Sequence, residues 1–355
     1  MITIQFKLLP SLEQETLLCD MAIEYISSAN DLIDYCCAQI RAPKLSSAIF
    51  AAALPSAVKN EVVNTVRSIL QKYSRGSCKL LPVLRKPVVT WNNQNYRVGA
   101  DSIAFPVWVD GKSKRIIVTA LISDYQRERL SGKLGSLRIT QKNGKWIAQV
   151  AVEKPLDIYE GCGVMGVDLG LKVPAVAVTD SGKVRFSGNG RMNKYVKRRH
   201  RSRRKSLGKA KKTKAIEQLG NKEQRWMRDQ DHKVSREIVN FAVANGIGTI
   251  RMEQLANIRQ TARTSRKNEK NLHTWSFYRL ASFIEYKANK AGMAVEYVNP
   301  AYISQTCPKC GELNRAADRK YQCKRCGYET HRDIVGAVNT ISAPVIVRNK
   351  RRRSA

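Results

Sequence analysis

The chain has 355 residues, enough for two or three domains at the usual ~150 residues each. Its 63 Lys and Arg against 29 Asp and Glu leave a net charge of +34, while 43% apolar content is that of a folded protein and excludes a disordered chain. Such a charge repels itself unless a polyanion neutralises it, which points to nucleic acid as the partner. A membrane partner is not expected: the apolar run from Ala48 stops at Pro55, far short of the ~20 residues a span needs, and no secretory signal is present. The expected location is cytoplasmic and nucleoid-associated.

Residues 2–7 alternate apolar and polar and predict a strand. Ser11 with Gln14 three positions on is a capping-box start for a helix near Leu12. Leu18, Met21, Ala22, Tyr25, Ile26, Ala29, Leu32, Ile33 and Cys36, then Val58, Val62, Val66, Ile69, Leu70 and Tyr73, recur at helical spacing, so residues 11–75 read as mostly helical. From Lys79 to Pro155 the period becomes two, with turns at Asp110-Gly111 and Asn143-Gly144, which predicts an antiparallel sheet or barrel that the first strand joins. Phe105 and Trp108 read as core residues of one of its strands.

After Gly161 the pattern changes to strands at 164–168 and 174–178 and a turn at Asp180-Ser-Gly182. Between Lys183 and Lys214 lie 15 Lys or Arg and no acid, which suits contact with a nucleic-acid backbone; Lys197, Arg198, Arg199, Arg201, Arg203, Arg204 and Lys205 are the candidates, with Arg332 further on. A strand at 248–252, a helix from about Trp275 to Lys290 and a strand at 294–298 follow. Among the aromatic residues, Trp226 is the one whose basic surroundings suit a nucleic-acid contact. Residues 348–353 read as a basic tail.

Cys307-x-x-Cys310-Gly and Cys323-x-x-Cys326-Gly are two matched hairpins separated by twelve residues, the spacing at which four thiolates surround one Zn²⁺. Four sulfurs close the coordination sphere, so such an ion is structural. The other five cysteines are scattered and read as reduced thiols. Three acids end or open apolar elements: Asp168 after Val164-Met-Gly-Val, Glu253 after Thr249-Ile-Arg-Met, and Asp333 before Ile334-Val-Gly-Ala. Three such carboxylates suit a pair of hard divalent cations with oxygen ligands, Mg²⁺ or Mn²⁺, the arrangement that hydrolyses phosphodiesters without a histidine base. Taken singly, Asp333 also fits a helix cap and Glu253 a strand-end ion pair.

The strand Gly166-Val-Asp-Leu-Gly-Leu-Lys172, the segment Arg251-Met-Glu-Gln-Leu255, Trp275-Ser-Phe277, Tyr286-Lys-Ala288, the two Cys-x-x-Cys-Gly hairpins and His331-Arg-Asp333, in this order, resemble the TnpB (OrfB) family of insertion-sequence proteins, relatives of type V CRISPR nucleases. The resemblance covers nearly the whole chain. It implies an α+β multidomain fold: a β-barrel wedge domain at 1–10 and 77–158, a helical recognition domain at 11–76, a split RNase H-like RuvC nuclease domain at 159–300 and 332–347 with a basic helical insertion at about 190–235, a zinc ribbon at 301–331 and a basic tail at 348–355. It further implies that Asp168, Glu253 and Asp333 are the catalytic acids and the four cysteines the zinc ligands. The implied activity is Mg²⁺-dependent cleavage of double-stranded target DNA next to a short motif, guided by RNA from the protein's own locus. An RNA-guided repressor with impaired cleavage and an RNA-independent transposase are the alternatives. One departure stands out: Val335-Gly336-Ala337 occupies the place of the family's Asn-Ala-Ala, and a glycine there implies a looser helix at Asp333 and slower cleavage.

Overall fold

The computed structural model describes residues 2–38, 46–47, 50–76, 80–86, 88–153, 159–255, 277–314 and 319–346. Trp275, Cys78 and the basic tail from Arg348 lie outside these residues. The chain divides into two units, Met1–Pro155 and Leu156–Ala355.

In the first unit a seven-stranded antiparallel sheet carries a helical pair. Strand β1 (Ile2–Leu9) leads into α1 (Leu12–Ala38) and α2 (Ser56–Ser74), and the remaining strands follow: β2 (Val88–Trp91), β3 (Arg97–Val98), β4 (Ser102–Val109), β5 (Lys112–Leu121), β6 (Lys133–Lys142) and β7 (Lys145–Glu153), with the short α3 (Asp124–Leu130) between β5 and β6. Their order across the sheet is β2-β6-β7-β1-β5-β4-β3, so the first strand lies between β7 and β5, and the helical pair is inserted between β1 and β2. The capping box forms as the sequence predicts: Ser11 N–H donates to Gln14 Oε1 at 3.1 Å and Gln14 N–H to Ser11 Oγ at 3.3 Å, which meets two helix-end donors at once.

The pairing order runs open from β2 to β3, yet the sheet curls. The Trp91 indole of β2 donates to the Pro106 carbonyl of β4 at 3.0 Å, and its ring lies 4.8 Å from that of Phe105. The core holds alternate residues of the strands, Ile4, Phe6 and Leu8 or Ile103, Phe105 and Val107, against Leu18, Tyr25, Val58 and Val62 of the helices. Trp108 departs from the sequence reading. Its position has the opposite parity to Phe105, so the pleat turns it away from these residues; it is half-buried, with the Lys59 ammonium 6.0 Å from its ring.

The second unit is built on a five-stranded sheet of order β10-β9-β8-β11-β12. Strands β8 (Gly163–Asp168), β9 (Ala175–Thr179) and β10 (Val184–Ser187) form an antiparallel meander; β11 (Ile247–Glu253) and β12 (Ala294–Val298) add in parallel beside β8. Helices α4 (Gly190–Lys209), α5 (Thr213–Leu219) and α6 (Lys222–Ala244) connect β10 to β11, and α7 (Phe277–Lys290) precedes β12. Val234, Ile238, Val239 and Ala242 of α6 and Leu280, Ile284 and Ala288 of α7 cover the strand residues Met165, Val167, Ile250 and Met252. Strands β13 (Lys320–Gln322) and β14 (Glu329–His331) make a hairpin that runs directly into α8 (Arg332–Ser342). Helix α8 lies on β8 at very short range: a Cβ on Gly166 would come within 1.9 Å of the Ala337 carbonyl oxygen, so only glycine admits this approach. Among the described residues, no helix is long and apolar enough to cross a membrane.

Candidate functional site

Parallel pairing sets two of the three acids side by side. Met252 of β11 pairs with Val167 of β8, so Glu253 and Asp168 follow at the same level, at the carboxyl ends of adjacent parallel strands, where ligands of open α/β sheets gather. The third comes from α8. Asp333 sits in its first turn, 8% exposed, and the helix is capped not by Asp333 but by His331, whose Nδ1 accepts from the Asp333 N–H at 3.3 Å. The cap reading of Asp333 is thereby set aside. Glu253 has no ion-pair partner among the described residues.

The charge of Asp333 acts on Asp168, and that of Asp168 on Glu253. Burial, and then the charge of Asp333, raise the Asp168 pKa above the ordinary carboxylate range, against the opposing pull of Arg319 and Arg332. Burial and the charge of Asp168 raise Glu253 likewise. The cluster is therefore short of positive charge, which is the condition that hard divalent cations with oxygen ligands relieve. One cation is already there: a guanidinium N–H of Arg319, from the residue just ahead of β13, is paired with Asp333 Oδ2. The three carboxylates are not drawn to ligand spacing. Among the described residues, the four thiols are the group of His, Cys, Asp or Glu whose ligand atoms all lie within 4.8 Å of one another.

The departure at Gly336 has a geometric meaning. One turn along α8 from Asp333, a Cβ on Gly336 would meet Asp168 Cγ at 3.3 Å and Cβ at 3.5 Å. The missing side chain leaves room for the Asp168 carboxyl between strand and helix. Neither this nor Arg319 was legible in the sequence, where one is a glycine in a helix and the other a basic residue in a loop.

The four cysteines converge. Cys307 and Cys326 Sγ are 3.6 Å apart and Cys310 and Cys323 Sγ 3.5 Å, close to the ~3.8 Å edge of a tetrahedron with 2.3 Å metal–sulfur bonds. Gly311 and Gly327, at φ of 76° and 72°, close the two turns by donating to the carbonyls of Cys307 and Cys323 at 2.9 and 3.0 Å. Backbone N–H groups of Cys326 and Arg325 hold the Cys323 thiol below its ordinary range, the thiolate-favouring setting a metal ligand needs. Asn314 Nδ2 adds a bond to the Cys323 sulfur at 3.4 Å. These residues can hold one metal ion.

The basic candidates divide. Arg198, Arg199, Arg201, Arg203 and Lys205 are exposed along α4. Arg204 instead pairs with Glu223 of α6 at 2.6 Å, and Lys197 is half-buried, its pKa lowered mainly by burial. Arg332 is half-buried at the start of α8, donating its N–H to the Arg319 carbonyl at 2.7 Å beside the acids. Trp226 is half-buried on α6.

Comparison with known proteins adds a lineage to this geometry. The family model described as Cas12f1-like, TNB domain, matches residues 277–340, the stretch from α7 through the four cysteines into α8. The CRISPR-associated endodeoxyribonuclease Cas12f1 of Sulfoacidibacillus thermotolerans is 30% identical over 259 residues, covering 67% of this chain and 58% of that protein. The TnpB-like protein MJ0751 of Methanocaldococcus jannaschii is 36% identical over 148 residues, 41% of this chain and 53% of that one. The chain thus spans about half the length of the curated relatives it matches. Cas12f1, solved by cryo-electron microscopy in complex with sgRNA and target DNA, matches with a TM-score of 0.68 at 16% identity over 93% of this chain and 82% of that one, which shows a shared fold. With matches of this kind on both sides, the chain is a relative of the TnpB-like proteins and of the type V CRISPR proteins of the Cas12f kind.

Proposed function

We propose that this protein is an RNA-guided DNA endonuclease that cuts by two-metal phosphodiester hydrolysis. The observation that carries the reading is the arrangement of Asp168, Glu253 and Asp333 at two parallel strand ends and a helix start, with the Asp333 charge acting on Asp168 and the Asp168 charge on Glu253. The endodeoxyribonuclease named among the relatives, and the sgRNA and target DNA held by the structural neighbour, supply its substrate class. In this reading the second unit is an RuvC-like domain of RNase H type, a placement its three-antiparallel, two-parallel strand order supports. The first unit serves as the wedge, its helical pair as the recognition part, and 301–331 as a zinc ribbon.

Asp168, Glu253 and Asp333 are the residues that would hold Mg²⁺ or Mn²⁺, and the four cysteines suit Zn²⁺ because soft thiolates at tetrahedral spacing favour it over hard cations. When bound, the divalent pair supplies an activated water and a counter-charge for the leaving oxygen. The carboxylates position those ions at the open strand ends; the exposed cations of α4 bind phosphates without reading sequence, which base pairing to the guide provides. Guide RNA from the protein's own locus and double-stranded target DNA with a short adjacent motif are the partners of this reading, in the cytoplasm at the nucleoid.

The test is to purify the protein from cells carrying its locus, sequence the RNA that accompanies it, and assay the complex on matching DNA with Mg²⁺ and with EDTA. Guided, Mg²⁺-dependent cutting is expected, abolished by Asp168→Ala with DNA binding retained. Binding of a locus RNA and its target without cutting would favour a repressor, and absence of any specific RNA would return the chain to a conventional transposase.

A further inference from the structure

The acid cluster contains its own counter-ion. Asp333 is 8% exposed, and a guanidinium N–H of Arg319 takes its Oδ2. That oxygen belongs to one of the three carboxylates that would hold a divalent ion. Arg319 is not a loose surface residue: its carbonyl accepts from the Arg332 N–H at 2.7 Å, in line with the β13–β14 pairing of Lys320 with His331. The backbone that carries the guanidinium is thus pinned to the strand leading into α8. The same pairing extends into the four-cysteine segment, where the Cys323 N–H donates to the Tyr328 carbonyl at 2.9 Å. The contact is therefore built in by the hairpin.

Electrostatics makes the occupancy competitive. A guanidinium and a divalent ion both neutralise Asp333, and each repels the other at a few ångströms, so the site favours one at a time on that oxygen. The side chain of Arg319 is 30% exposed, which gives the displaced guanidinium a route to solvent.

We propose that Arg319 is an internal competitor for the divalent-metal site: it occupies Asp333 when the site holds no ion, and metal binding must displace it. The proposal rests on the reading of Asp168, Glu253 and Asp333 as the metal-holding acids. It makes the ribbon hairpin, which carries Arg319, a determinant of divalent affinity in the neighbouring acid site.

The experiment is titration of the purified full chain with Mn²⁺, followed by the loss of the free-ion electron paramagnetic resonance signal, without nucleic acid and so without turnover. Arg319→Gln is expected to bind Mn²⁺ about fivefold more tightly than the parent, the factor that ~1 kcal/mol of a partly exposed ion pair represents. Arg319→Lys, which keeps the charge, is expected to stay near the parent, and both variants should keep the parent's melting temperature and zinc content. Equal or weaker Mn²⁺ binding by Arg319→Gln would overturn the proposal and leave Arg319 as a residue that positions Asp333. Failure of the underlying reading looks different: Mn²⁺ binding by the parent would then be unchanged by Asp168→Asn. If Arg319→Gln loses its fold, Arg319→Met takes its place, with the same tightening expected and the same equal or weaker Mn²⁺ binding overturning the proposal.

Discussion

Lys287 on α7 shows how a single burial sets a measurable pH dependence. The residue is 4% exposed, its ammonium donating to the His232 carbonyl at 2.6 Å and Ser235 Oγ at 2.7 Å, and burial, with help from the Arg236 charge, lowers its pKa to about 8. An unfolded lysine titrates near ~10.4. Between about 8 and that value the unfolded chain binds a proton the folded chain does not, so stability rises with pH across this window, and the contribution is lost as pH falls through it because the buried amine must charge. Lys287→Met is expected to flatten this rise in urea midpoints taken from pH 7 to pH 10. An identical slope in both proteins would assign the rise to other groups. The buried Asp231 of α6 takes the complementary solution, an ion pair with Arg279 of α7 at 2.6 Å.

At the scale of elements, the candidate site depends on how closely α8 approaches β8. Gly166→Ala would place a methyl 1.9 Å from the Ala337 carbonyl oxygen, so strand and helix must part; a loss of about 2–3 kcal/mol is expected, read as a lower melting temperature, together with weaker divalent binding. The four-cysteine element behaves differently. Cys310→Ser removes one of four converging thiols and should lower both the bound zinc and the melting temperature, since a structural metal site contributes directly to folding. Zinc content and stability that do not change would refute a metal role for the cluster.

For the whole molecule the governing quantity is the charge of +34. Affinity for duplex DNA should fall with salt by ~0.9 log units per log unit of salt for each neutralised phosphate. Replacing Arg198, Arg199, Arg201 and Arg203 of α4 by Gln is expected to reduce that slope by several contacts. Arg204→Gln should change it least, because that side chain is tied to Glu223. Salt titrations of the variants on one duplex measure this, and an unaltered slope in the fourfold variant would place the polyanion elsewhere.

The elements that local chemistry governs were legible from the residues alone. The Ser11–Gln14 cap, the turns at Asp110-Gly111 and Asn143-Gly144 with their positive φ, the helical period of α1 and α2 and the alternation of the sheet strands all depend on neighbours a few positions away. The two Cys-x-x-Cys-Gly hairpins were legible for the same reason, each turn being closed by its own glycine. Trp108 was misread because a strand segment tells which residues share a face, and 105 and 108 do not. Only the tertiary structure decided the rest. Asp168, Glu253 and Asp333 are separated by dozens of residues, and parallel pairing of β8 with β11 together with the seating of α8 on Gly166 brings them into one field. Arg319 at Asp333, Gly336 against Asp168 and Lys287 beneath α6 carry no local signature at all. Each is a contact between elements distant in the chain, where long-range packing, and not local propensity, fixes which side chains meet.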